Sequence, residues 1–131
     1  AKLAAAWAAV SAPGNRVLGV WRPHGYGPLR AMLAPLADAF AAVCRAQDRL
    51  WLLPVYDAGG TANRTVHSGE LADELQARGV HAAPAATYEE LGEQLASAAR
   101  AGDTILIMGA RDPRLPVFAR EMAARTAAVE E

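Results

Sequence analysis

The sequence predicts a three-layer α/β fold: a Rossmann-like, doubly wound, mainly parallel sheet with helices on both faces. Three observations predict it. Strand-type and helix-type hydrophobic periods alternate along the chain, as βαβ units require. The strand runs are continuously apolar, which suits strands buried on both faces. Alanine makes up about a quarter of the residues, which favours helices between the strands.

Leu3, Trp7 and Val10 share one helical face, so residues 1–10 are expected to open the chain as a helix. Ser11-Ala-Pro-Gly-Asn15 breaks it, and Val17 to Trp21 follows as a buried strand. Leu29, Met32, Leu33, Leu36, Phe40 and Val43 recur at helical spacing, predicting a second helix over Pro28 to Arg45. Pro35 inside it should kink the helix or delay its start. Leu50 to Val55 is a second strand, and Tyr56 to His67 a long polar loop.

Ser68 is placed to cap a third helix that carries Leu71 and Leu75 and ends at Gly79. Val80 to Ala83 is a weak third strand. Thr87 and Glu90 form a capping box, which starts a fourth helix at Tyr88. Its apolar face is Tyr88, Leu91, Leu95 and Ala98. Thr104 to Met108 is the clearest strand, Gly109 to Pro116 a loop, and Val117 to Ala124 a last helix before a fraying acidic tail at Glu130 and Glu131. A chain of this type usually opens on a strand, so a strand preceding Ala1 is expected.

Composition narrows the function. At 131 residues, 53% hydrophobic and 21% charged, the chain has enough apolar material for one domain and its own core. A net charge of -1 is at odds with a nucleic-acid binder, which carries a basic stripe. Cys44 is the single cysteine, so neither an internal disulfide nor a cysteine-based metal site can form. The longest apolar run, Ala31 to Val43, is interrupted by Pro35 and Asp38, so no membrane span is expected. Lys2 is the only lysine. A phosphate-binding P-loop needs a lysine after its glycines, so this chain is expected not to hydrolyse ATP by that machinery.

Ligands of open α/β sheets sit beyond the carboxyl ends of the strands. Three loops fall there: Arg22 to Pro28, Tyr56 to His67, and Gly109 to Arg114. They hold two of the three histidines and five of the eleven glycines, whereas Ser11 to Asn15 and Ala46 to Arg49 look like plain connectors. Each candidate has a structural alternative. His24 can contact substrate or bond its own turn. Gly59 and Gly60 suit a tight turn. Asn63, Arg64 and His67 can hold an anion or belong to a solvated loop. Asp112 can meet a cationic group or cap the last helix. His81 and Cys44 fit structural roles. The glycines of Gly25-Tyr26-Gly27 do not complete a dinucleotide fingerprint, because Arg30 stands where the third glycine belongs. No histidine pair has metal-ligand spacing, and no Ser/His/Asp arrangement is evident.

Val20-Trp-Arg-Pro-His-Gly-Tyr26, Val55-Tyr-Asp-Ala-Gly59 and Met108-Gly-Ala-Arg-Asp112 together resemble the C-terminal domain of the Mur ligases. The closest likeness is to members that add L-alanine, or that recycle a whole peptide. Order, spacing and strand-end placement all agree, from about Ala1 to Ala124. The resemblance implies a Rossmann-like domain, residues 1–131, of an ATP-dependent ligase of peptidoglycan precursor synthesis in the cytoplasm. In such a ligase a central domain phosphorylates the carboxylate of a UDP-muramoyl substrate, and an amino acid or peptide then attacks the acyl phosphate. The C-terminal domain holds that nucleophile, and closure orients the attack and keeps water from the intermediate.

Carried over residue by residue, the resemblance implies that His24, Tyr26 and Arg30 orient the amine substrate. Tyr56, Asp57, Gly59, Asn63, Arg64, Arg111 and Asp112 complete the rim. None of these is assigned a catalytic or metal-binding role. Gly25 and Pro28 stand where the family has arginines, and Arg30 is the nearest replacement. Asp57 replaces an alanine and Arg111 a glycine. The implied partners are the UDP-muramoyl substrate, the nucleophile, and N-terminal and central domains outside this chain, with no nucleic acid and no membrane. ATP and Mg are implied for the whole enzyme, no cofactor for this segment, and no activity for the segment alone. The alternative is a non-catalytic small-ligand or regulatory α/β module using the same loops.

Overall fold

The computed structural model describes residues 2–22, 27–53, 68–100, 102–109 and 113–130, with the side chains of 2–3, 27–33, 68–69 and 125–130 left aside. The element order is α1 (Lys2–Val10), β1 (Val17–Arg22), α2 (Gly27–Val43), β2 (Arg49–Leu52), α3 (Ser68–Ala77), β3 (Ala82–Pro84), α4 (Tyr88–Ala98), β4 (Thr104–Gly109) and α5 (Arg114–Glu130). The four strands form one parallel sheet in the order β3-β2-β1-β4. The chain winds outward from β1 to β2 to β3, then crosses back to place β4 on the other side of β1. This is the expected doubly wound, Rossmann-like α/β fold, and it puts a topological switch point between β1 and β4.

Alternation along the strands builds two cores. Val17, Trp21, Leu50 and Leu52 face one way and pack with Trp7, Leu36, Phe40, Leu71 and Leu75, from α1, α2 and α3. Leu18, Val20 and Trp51 face the other way, toward Leu91, Leu95, Phe118 and Met122 of α4 and α5. The two central strands, β1 and β2, are therefore buried on both sides, which explains their apolar runs. Gly19 sits under the Trp7 indole, where a Cβ would overlap the ring.

The amino edge of the sheet is locked by polar side chains. Asp48, 1% exposed, accepts hydrogen bonds from Trp7 Nε1 at 3.1 Å, from the Val17 backbone N–H at 2.9 Å, and from the Arg45 backbone and guanidinium. Arg45 also donates to the Ala12 and Asn15 carbonyls. Arg16 pairs with Asp103 at 2.7 Å. The two segments expected to be plain connectors thus hold a buried ionic network.

Four other expectations need correction. Pro35 does not delay α2, which begins at Gly27 and runs through it. The last helix starts at Arg114 rather than Val117, because Pro116 lies in a first turn where no intrahelical N–H is required. It also runs on to Glu130, so that residue is helical rather than a frayed tail. Ser68 is the first residue of α3 rather than its cap. The capping box of α4 holds: Thr87 Oγ1 accepts from the Glu90 backbone N–H at 3.1 Å.

Candidate functional site at the carboxyl edge of the sheet

Because all four strands are parallel, their carboxyl ends share one edge. Arg22 at the end of β1 is register-paired with Gly109 at the end of β4, and Trp21 with Leu52 of β2. The Leu53 N–H extends this pairing by donating to the Trp21 carbonyl at 3.0 Å. The three candidate loops therefore depart from neighbouring strand ends around the switch point. His24, Tyr26, Tyr56, Asp57, Gly59, Asn63, Arg64, Arg111 and Asp112 lie in those loops, outside the described residues. Arg30 is placed by its backbone in the first turns of α2, whose start faces the same edge.

The described residues at this edge include a cluster that sequence reasoning missed. Arg22 brings its Cζ to 5.6 Å from the centroid of the Tyr88 ring, and Arg114 brings its Cζ to 4.9 Å from the same centroid. Both distances are within cation–π range. Tyr88 was expected only as part of the α4 core face, and Arg114 only as the end of a loop. The tyrosine is buried and packs on Phe118, with ring centroids 5.1 Å apart. Arg114 Nη2 donates to Glu89 Oε2 at 3.2 Å. The Glu89 backbone N–H and the Arg114 guanidinium hold that carboxyl below its usual range.

Beside the cluster, a groove of about 470 Å³ runs between α4 and α5, lined by Tyr88, Glu89, Arg114, Phe118 and Glu121 among others. That volume lies within the range of small-molecule sites. Two further hollows lie away from this edge. One of about 400 Å³ borders Arg49, Gln76 and His81. The other, of about 540 Å³, runs beside Glu93, Gln94 and Ser97. His81 is exposed just before β3, and its carbonyl accepts from Leu50. Cys44 follows α2 and packs against the first core, as expected of a packing residue. Among the described residues, no group of three or more His, Cys, Asp or Glu could hold a metal ion, and no helix is long and apolar enough to cross a membrane.

Fold and edge together define a Rossmann-like α/β protein with a topological switch point between β1 and β4. No family model matches the chain. Known proteins narrow the class: the chain is a homologue of Mur ligases, consistent with a Mur ligase C-terminal domain. It is 39% identical over 111 residues to the UDP-N-acetylmuramate–L-alanine ligase of Brucella ovis, covering 84% of this chain and 23% of the relative. The same figures hold for the enzyme of that name from Brucella abortus. The UDP-N-acetylmuramate–L-alanine ligase of a Synechococcus strain is 33% identical over 98 residues, covering 75% of this chain and 20% of the relative. The chain thus matches only about a fifth to a quarter of the length of these curated relatives.

Proposed function

We propose that the chain is the nucleophile-presenting C-terminal domain of an ATP-dependent ligase of peptidoglycan precursor synthesis. On this reading the enzyme joins an amino acid or peptide to UDP-N-acetylmuramate through an acyl phosphate. The observation that carries the proposal is the 111-residue alignment with ligases named for that substrate and for L-alanine. The shared edge from which the three motif-bearing loops depart supports it.

In this reading His24, Tyr26 and Arg30 orient the incoming amine. Tyr56, Asp57, Gly59, Asn63, Arg64, Arg111 and Asp112 form the rest of the rim. The nucleotide and its Mg belong elsewhere, since the one lysine, Lys2, lies at the start of α1 and no P-loop contains it. The chain's contribution is proximity: holding the amine against an acyl phosphate formed on neighbouring domains and excluding water while the bond forms. The reaction belongs in the cytoplasm.

The test is amine-dependent ADP release by the full-length gene product, given ATP, Mg and UDP-N-acetylmuramate with L-alanine, other amino acids or short peptides. We expect release with at least one amine and none from residues 1–131 alone. Absence of amine-dependent release across the whole panel would overturn the proposal.

A further inference from the structure

We draw no further inference here: the strongest candidate, the outer edge of β4, where half-buried Ile105 and Ile107 meet no neighbouring strand among the described residues, carries nothing because nothing in the structure shows what covers it.

Discussion

The Trp7 indole N–H donates to Asp48 Oδ2 at 3.1 Å, joining residues 41 positions apart in a buried contact. The same carboxylate takes the Val17 N–H at the first residue of β1. One side chain therefore ties α1, β1 and the turn before β2 together at the amino edge. The carboxyl edge is left to the loops.

Asp48→Ala should accordingly destabilise the fold by about 3 kcal/mol, since it strands the Trp7 and Val17 donors and the Arg45 charge. A urea titration checks this, and a midpoint within error of wild type would refute it. The contribution is also pH-dependent. Burial opposes ionisation of Asp48, but the bonds from the Arg45 side chain, the Val17 and Arg45 backbone and the Trp7 indole outweigh it and lower the pKa. A lowered folded-state pKa gives stability that is complete above the unfolded value of about 4 and is lost as pH falls through the folded value. Wild type should therefore lose stability below about pH 4 by a component missing in Asp48→Asn.

Thr87→Ala should cost about 1 kcal/mol, because the Thr87 hydroxyl satisfies the Glu90 N–H at the start of α4. Thr87→Ser should recover most of it. Thermal midpoints of the two variants decide the matter, and equal midpoints would remove the cap from the account.

What the sequence revealed and what it hid divides by range. The capping box at Thr87 and Glu90 and the strand Thr104 to Met108 are local patterns, and both were legible. So was the alternation that gave the layers. Asp48 was not, since its donors Trp7 and Val17 lie 41 and 31 residues away and nothing beside it marks it as buried. The Arg22–Tyr88–Arg114 cluster was hidden for the same reason: three separate elements meet only when the sheet closes. The start of α5 was masked by Pro116, whose tolerance in a first helical turn leaves no distinct signal.

Cys44 should resist alkylation. Burial first, and the Asp48 charge second, push its thiol up to about 12. At pH 8 the thiolate fraction should fall on the order of a thousandfold below that of an ordinary cysteine, and the thiolate is the reacting form. Iodoacetamide modification should therefore be slow in buffer and fast in urea. Equal rates in the two conditions would contradict its half-buried placement against the first core.

Gly109→Ala should impair both stability and the site. Gly109 has φ of 152°, where an L side chain is strained, and a Cβ there would meet Leu115 Cδ2 at 2.8 Å and the Arg22 carbonyl oxygen at 3.2 Å. The leucine can shift, but the Arg22 carbonyl belongs to the strand end from which a candidate loop departs. The expected cost is roughly 1–3 kcal/mol. Gly14→Ala is the matched control, because a Cβ there meets nothing within 4 Å. Its effect should stay within about 0.5 kcal/mol. Because the strain falls on Arg22, Gly109→Ala should also raise the amine KM of the full-length enzyme at a temperature where the variant remains folded. A lowered melting temperature with no change in KM would confine the role of Gly109 to the fold.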